Sequence, residues 1–535
     1  MSCVRVFKYL RISKLKNPNP ELSELRTFEL GTLELRTLEA MSVVYYFIFL
    51  VYTIALTYIT AYCLMQLHLL YNYKKYHRKH NCNSILQPEE DDKLPFVTIQ
   101  LPIFNEMYVV ERLLDNITQF DYPKDKYEIH VLDDSTDATV EITRKKVAEY
   151  KAKGFNIEQI RRKDRKGYKA GAMKDAMKSA KGEFIAIFDA DFLPKKDFLR
   201  TTIPYFKNEK TGVVQTRWEH INQNYSLITR LQAMQLNVHF TVEQQGRKAG
   251  NFMLQFNGTA GVWRRQTIED AGGWEADTLT EDLDLSIRAQ LKGWEIVYLE
   301  KFGSPAELPA EMNGFKSQQH RWMKGGAETA KKMLPTLWHS KLSLGQKIHG
   351  TAHLLGSTIF VFVFIVGVFS VPLLFVISRM RFSPDFLSAF LIGFLAIIAV
   401  YYVANVQAEL KKESYAKMLF KFIFLFPIFL ALSMGLSLHN TIAVLQGYGG
   451  KKSPFVRTPK FNIKGLADSF KKQNYLTSKI SWTTFFEGFL TLYFLAAVCI
   501  GLYWENTTFI IFHILLAFGY GSIFYFTIRH LKLKH

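Results

Sequence analysis

At 535 residues the chain is long enough for two or three domains, and 48% hydrophobic and 15% aromatic residues, with 44 Phe, point to a membrane protein. A net charge of +19 admits nucleic acid, an acidic membrane surface or a phosphorylated substrate as partner. No helix-turn-helix or zinc-finger pattern supports nucleic acid, and the four scattered cysteines (Cys3, Cys63, Cys82 and Cys499) exclude a disulfide framework or Cys-rich metal site and fit a reducing cytosolic face.

Residues 1–40 differ from the rest. Glu24-Leu25-Arg26-Thr27 is echoed by Glu34-Leu35-Arg36-Thr37, a polar quasi-repeat that reads as a disordered tail or as sequence translated from too early a start. Residues 42–70 are apolar for more than the roughly twenty needed to cross a bilayer. They are too long for a signal-peptide core and carry no small-residue cleavage site, so they read as a retained first span. Lys74, Lys75, Arg78 and Lys79 follow directly, and positive charge beside a first span marks the cytoplasmic side. The block of ordinary polarity after it is therefore expected in the cytosol.

That block opens at Pro95 with a predicted strand at 96–101, a turn Pro102-Ile103-Phe104-Asn105-Glu106 and a helix at 108–120. A strand at 128–132 ends in Asp133-Asp134-Ser135, a helix runs to about residue 150, and a short strand lies near 156–160. Strand and helix alternating at this spacing predict an α/β domain with a doubly wound, mostly parallel sheet. Residues 161–173 are basic and contain Gly167-Tyr168-Lys169-Ala170-Gly171-Ala172; glycines, a lysine and a helix start suit an anionic phosphate, although a solvated basic loop has the same composition. A dinucleotide-binding Gly-x-Gly-x-x-Gly is absent, which argues against hydride transfer.

The fourth strand carries the chemistry. Phe184 to Phe188 is wholly apolar, as in a strand buried on both faces, and it ends in Asp189-Ala190-Asp191. Ligands of open α/β sheets sit outside the carboxyl ends of the strands, so both carboxylates are expected in that crevice. Two hard oxygen donors at this spacing suit Mg²⁺ or Mn²⁺, whose remaining ligands are commonly water and substrate phosphate. Downstream, Phe256-Asn257-Gly258-Thr259-Ala260-Gly261 is a small-residue turn that a bulky polar ligand could pass. Thr280-Glu281-Asp282 opens a predicted helix at 282–291, where Thr280 suits an N-cap and the acids suit the helix dipole. Gln318-Gln319-His320-Arg321-Trp322 joins amides, a guanidinium that pairs well with diphosphate and an indole that offers a sugar ring a flat apolar face.

The ordered set Asp133-Asp134, Asp189-Ala190-Asp191, Thr280-Glu281-Asp282 and Gln318-x-x-Arg321-Trp322 resembles the signature of processive inverting family 2 glycosyltransferases, which include cellulose, hyaluronan and mannan synthases. Residues 256–263 and 168–173 are most similar to the cellulose-synthase-like mannan and glucan synthases. The resemblance covers about residues 95–460. It implies a GT-A catalytic domain, a nucleotide-diphospho-sugar donor such as GDP-mannose or UDP-glucose, a growing polysaccharide acceptor and a divalent cation (Mg or Mn). Carried over by position, Asp282 is the catalytic base, and Asp189 and Asp191 bind the metal. Pro102, Asn105, Glu106, Asp133 or Asp134, Lys169, Asp189, Gln318 and Arg321 belong to the donor site. Asn257, Gly258, Thr259, Glu281 and Trp322 belong to the acceptor site. Phe455-Val456-Arg457-Thr458-Pro459-Lys460 resembles the family's gating loop, usually Phe-x-Val-Thr-x-Lys, with Phe455, Thr458 and Lys460 matching and Arg457 in the valine position.

The expected organisation is a tail at 1–40, a first span at 41–72, a GT-A domain at 93–340, interfacial helices and spans two and three at 341–446, the gating loop at 447–482, and spans four and five with a basic tail at 483–535. Residues 418–446 are apolar but carry Lys421, Pro427, His439 and Asn440; with this stretch interfacial, the gating loop and the basic C-terminal residues stay on the cytosolic side, as the positive-inside rule prefers. The expected function is synthesis of a β-linked hexose polysaccharide in the lipid bilayer. A single-addition enzyme making a glycolipid, and a transporter or scaffold without catalysis, are the alternatives.

Overall fold

The computed structural model describes residues 20–79, 86, 89–377, 384–408, 414–453, 456–463 and 480–531. The soluble block folds around a seven-stranded sheet: β1 (Val97–Ile103), β2 (Tyr127–Asp133), β3 (Ile157–Ile160), β4 (Phe184–Ile187), β5 (Thr211–His220), β6 (Gly261–Arg264) and β7 (Glu295–Ala306), in the order β3-β2-β1-β4-β6-β5-β7. β6 runs antiparallel to both its neighbours, β4 and β5, and the other pairings are parallel, so the doubly wound, mostly parallel reading holds.

β4 sits at the centre for the reason its composition gives. Ile185, Ala186 and Ile187 are fully buried, and the alternation of the strand sends them to opposite faces. Ile185 and Ile187 join Trp263, Trp274 and Leu285, whereas Phe184, Ala186 and Phe188 join Ile99, Leu113 and Phe198. A strand with a core on each face has no polar positions, which is why its sequence is continuous rather than alternating. β1, β2 and β4 lie parallel side by side and deliver their carboxyl ends to one edge, where the acidic residues stand.

Element boundaries depart from the sequence reading at two places that bear on the site. The helix after β1 spans only Val110–Ile117: Val109 (φ −126°, ψ −14°) stands outside helical geometry before it, and at its end the Thr118 hydroxyl donates to the Leu114 carbonyl at 2.9 Å. Thr280 stands at the N-cap position of the Glu281–Leu291 helix but does not cap it; its hydroxyl meets that of Thr329 at 3.0 Å. That bond spends the Thr280 side chain on the neighbouring Met312–His339 helix, so the acids at Glu281 and Asp282 face the site without help from it.

Among the described residues, six helices are long and apolar enough to cross a membrane: Val43–Arg78, Leu344–Ile377, Leu387–Gln407, Tyr415–Gly435, Trp482–Tyr503 and Ile510–Arg529. The first belongs to a helix that begins at Pro20, inside the segment expected to be a disordered tail. Tyr415–Gly435 lies where an interfacial stretch is expected from sequence, and a separate helix, Ser437–Tyr448, follows it after a break at Leu436. Met312–His339 joins the catalytic domain to these helices; its buried Lys316 meets both oxygens of Glu487 on Trp482–Tyr503 at 2.7 and 2.8 Å. Phe455 and residues 464–479 of the gating segment lie outside the described residues.

Candidate active site

A cavity of about 600 Å³ opens at the carboxyl edge of the sheet. Of the residues the sequence assigns to a site, Pro102, Glu106, Asp134, Lys169, Asp189, Asp191, Asn257, Gly258, Glu281, Asp282, Gln318, Arg321, Trp322, Thr458 and Lys460 line it. The Met312–His339 helix presents Gln318, Arg321 and Trp322 together because positions three and four apart share a helix face.

Three expected residues are not brought to the wall. Asp133 is buried, and its carboxylate accepts from the Ser135 N–H at 2.9 Å and from Gln159 Nε2 at 2.7 Å, so it shapes the loop. Asp134, the next residue along the extended chain, points the other way into the cavity, where the Arg162 guanidinium clamps both its oxygens. Asn105 adopts a left-handed backbone (φ 56°) and ties two loops together, its N–H donating to Ser135 Oγ at 2.8 Å and its Oδ1 accepting from the Thr136 N–H at 2.8 Å. Thr259 is fully buried and accepts the Asp189 N–H on its hydroxyl at 2.9 Å, which fixes the start of the Asp-x-Asp turn from beneath.

Each metal-ligand candidate commits one oxygen to a lysine. Asp189 Oδ1 meets Lys169 Nζ at 2.5 Å, and Asp191 Oδ2 meets Lys460 Nζ at 2.5 Å. The second oxygen of each remains for a cation, and a hard divalent ion with water and phosphate as its other ligands fits two carboxylates so spaced. A different carboxylate cluster, Glu275, Asp277 and Asp284, already has two cations on it: the Lys332 ammonium lies 2.6, 2.8 and 3.0 Å from the three, and Arg288 lies 2.7 Å from Asp284 and 3.9 Å from Glu275.

Charge dominates the centre of the cavity. Burial pushes the Asp282 carboxyl up to about 7, with the neighbouring Glu281 charge adding to the shift. Glu281 is also raised, mainly by burial. Burial alone would depress the Lys169 ammonium, but Asp189, Glu281 and Asp282 hold it above its ordinary value. Arg321 is lowered by burial against the pull of Asp189, Glu281, Asp191 and Asp282, so one guanidinium faces four carboxylates. Gly258 has φ +80°, and a Cβ there would come within 3.0 Å of Asp282 Oδ2; only glycine gives that turn and leaves the carboxylate room.

Two features were not legible as site residues. Arg457, a departure from the gating-loop pattern, forms an ion pair with Glu106 at 2.8 Å, while burial still raises the Glu106 carboxyl to about 7. Glu307, just past β7, accepts from Arg112 Nη2 at 3.1 Å and from the Phe461 N–H at 2.9 Å, clamping the gating loop over the site. An acid directly after a strand was the available signal for Glu307; no regularity in sequence marks its partners.

Residues 95–325 match the profile described as glycosyltransferase like family 2. They are a family 2 glycosyltransferase domain. Among relatives of this domain, the glucomannan 4-beta-mannosyltransferase 1 of Oryza sativa subsp. japonica is 43% identical over 283 residues, covering 51% of this chain and 54% of that protein. The glucomannan 4-beta-mannosyltransferase 9 of Arabidopsis thaliana is 40% identical over 288 residues, covering 52% and 54%. The chain thus spans about half the length of these relatives in the matched region. A solved mannosyltransferase from Pyrobaculum calidifontis, in complex with GDP-Man and Mn²⁺, superposes with a TM-score of 0.50 at 17% identity, over 75% of this chain and 100% of that one. That likeness bears on the fold, and it agrees with a GT-A-like domain.

Proposed function

We propose that the chain is a membrane-integrated, inverting, metal-dependent hexosyltransferase that extends a β-linked polysaccharide of mannan or glucan type from a nucleotide-diphospho-sugar, and that it passes the product toward the membrane. One observation carries this reading. The cavity holding Asp134, Asp189, Asp282 and Trp322 is also lined by Phe360, Val363, Tyr401, Phe429, Ser433 and Met434 on the apolar helices. A growing chain needs such a path toward the membrane; a lipid acceptor would enter between the same helices, and digestion of the product separates the two. The relatives' names favour mannose as the hexose.

In this reading Asp282 takes the proton of the acceptor hydroxyl as that oxygen forms its bond to the sugar's first carbon. The bond from that carbon to the diphosphate oxygen breaks on the opposite face, which inverts the centre. A carboxylate with a pKa near the working pH is well matched to the task. Arg321 and Lys169 meet the charge that develops on the departing diphosphate. A divalent cation held by Asp189 and Asp191 would share in that neutralisation. Trp322 gives the acceptor sugar a flat surface, and Asp134 with Arg162 borders the nucleoside end.

Purified chain in lipid should incorporate labelled mannose from GDP-mannose, or glucose from UDP-glucose, into a product cleaved by β-mannanase or β-glucanase. A single sugar on lipid, resistant to both enzymes, would favour the glycolipid alternative. Excess chelator should stop transfer, and Mn²⁺ or Mg²⁺ should restore it; full activity in chelator would remove the cation from the scheme.

Trp322→Ala should shorten the polymer while slow donor hydrolysis continues. An aromatic stacking surface is worth about 1–3 kcal/mol on other flat ligands, or about five- to 150-fold. Sizing the labelled product checks this, and unchanged length would take Trp322 out of the acceptor site.

The gating segment supports a definite topology. Arg457, Thr458 and Lys460 line the catalytic cavity, so residues 456–463 share its side of the membrane. The Tyr415 hydroxyl lies 2.9 Å from that of Tyr402, near Gln407, which bonds Lys74 at the C-terminal end of the first span. Gly435 packs against Gly519 midway along Ile510–Arg529, and Thr358 then meets the Tyr448 hydroxyl at 2.6 Å. We read Tyr415–Gly435 and Ser437–Tyr448 as entering the membrane and returning to the catalytic side. Five helices then cross, and the catalytic domain, gating loop and C-terminal end are cytosolic. With Lys452→Cys in a cysteine-free chain, a membrane-impermeant thiol reagent should label only from the cytosolic side; labelling from outside would make Tyr415–Gly435 a sixth crossing.

A further inference from the structure

Beyond Asp282 the cavity carries a group of polar side chains that the transfer step above does not use, around Asn257, which is expected at the acceptor site. Gln66 comes from the first long helix, His239, Glu243 and Arg247 from the helix following Val238, and Asn257 from the turn beside the base. Residues His239–Glu243 form a π-helical turn, with the Gln244 N–H bonded to the His239 carbonyl. Such turns are rare and cluster at functional sites, because the extra residue per turn re-aims side chains.

Glu243 is the hub. Its Oε1 accepts from Gln66 Nε2 at 2.7 Å, and its Oε2 accepts from His239 Nδ1 at 2.8 Å and Arg247 Nη2 at 3.4 Å. A carboxylate on one ring nitrogen of a histidine orients the ring and so aims the other nitrogen. That other nitrogen, His239 Nε2, lies 2.8 Å from Asn257 Oδ1, a contact in which the ring donates from both nitrogens, to Glu243 and to Asn257. The Asn257 backbone is fixed separately, its N–H donating to Gln215 Oε1 at 2.9 Å. Side-chain rotation is the freedom left, and His239 removes it. The opposite end of the carboxamide, Nδ2, is 3.4 Å from the Gln255 carbonyl, a weak contact that a better acceptor can replace.

Two more atoms point to a ligand. Gln66 Oε1 and Arg247 Nη1 are buried without hydrogen-bond partners among the described residues, and both side chains line the cavity at 5% and 6% exposure. Buried polar atoms left unpaired are costly, and a hexose presents hydroxyls that serve both a donor and an acceptor.

Resting on the polymer-forming reading above, we propose that Glu243 and His239 are positioning residues for the transfer. Anchored by Gln66 of the first span, they hold the Asn257 carboxamide toward the acceptor sugar beside Asp282, and Gln66 and Arg247 meet the hydroxyls of the sugar unit behind it. The acceptor hydroxyl is thereby kept in line with Asp282 while the donor site refills.

The test compares wild type, His239→Ala and His239→Gln as full chains in lipid, supplied with the labelled nucleotide sugar that wild type uses, and counts hexose in polymer against free hexose released. A misplaced acceptor leaves water to intercept the donor, so His239→Ala should lower the polymer-to-free-hexose ratio at least about ten-fold. A glutamine amide can still bond Asn257, so His239→Gln should recover most of that ratio. An unchanged ratio in His239→Ala overturns the proposal. A parallel fall of polymer and free hexose in both variants also overturns it, because it marks a general packing role. Wild type that makes no polymer from any nucleotide sugar refutes the polymer-forming reading itself, whereas the two preceding results leave that reading standing.

Discussion

Asp282→Asn is expected to abolish sugar transfer, by about a thousand-fold or more, and at the same time to raise the stability of the protein above neutral pH. The amide has the shape of the carboxyl and cannot take the acceptor's proton, and a positioned base contributes about 10²–10⁴-fold. The stability effect follows from linkage. The carboxyl titrates at about 7 when folded against 3.8 as an ordinary group, so the folded state holds its proton where the unfolded chain has lost it. Between these values stability falls as pH rises, and above about 7 the whole cost of a buried charge is present. At about 1.4 kcal/mol per pH unit, a shift of roughly three units bounds that cost at about 4 kcal/mol, less whatever Glu281 takes over once its neighbour is neutral. A variant that is inactive and melts higher at pH 8, with its advantage vanishing near pH 4, separates a functional carboxylate from a helix cap, whose loss would lower the melting temperature. The same titration predicts that wild-type transfer falls about ten-fold per pH unit below 7, as the base becomes protonated. Transfer that survives in the asparagine variant would remove Asp282 from the mechanism.

Arg321→Lys is the second large effect, and it keeps the charge. The guanidinium faces Asp189, Asp191, Glu281 and Asp282, and its Nη1 donates to the Val456 carbonyl of the gating loop at 3.2 Å. Its planar fork can hold two diphosphate oxygens together with the loop, whereas an ammonium is a single point of charge on a flexible stem. Loss of one aimed donor at developing negative charge lowers turnover about 10²–10³-fold, so kcat/KM for the nucleotide sugar should drop by at least about a hundred-fold. Folding should be retained, since the four carboxylates still face one cation. Kinetics at varied donor concentration decide it: a loss smaller than about ten-fold would make Arg321 a counter-charge rather than a diphosphate ligand.

The neighbouring pair Asp133 and Asp134 shows where reading the chain stops. An acidic pair after an apolar run marks a strand's carboxyl end, and that was legible. Which carboxylate enters the cavity depends on the direction of the chain past β2 and on Gln159 of β3 and Arg162, residues that sequence neither joins to the pair nor ranks. The family resemblance assigned Asn105 and Thr259 to the site; the structure uses both to brace the turns they stand in. Short polar side chains serve either purpose, and only the position of their partners separates the two.

By itself the sequence determined the elements whose signal is local and strong. These are the wholly apolar β4 ending in two carboxylates, the spacing that makes the sheet mostly parallel, the motif Gln318-x-x-Arg321-Trp322, and the apolar stretches on either side of the catalytic domain. Each follows from periodicity or from the chemistry of adjacent residues. The tertiary structure alone decided what depends on distant parts of the chain meeting. It set Lys460 against Asp191 across 269 positions of sequence and Arg457 against Glu106 across 351. It also made one cavity of a sheet edge, a helix face and the walls between apolar helices. A buried charge states its requirement for a partner in the sequence but not the partner's address, because the desolvation that enforces the pairing exists only once the chain has folded.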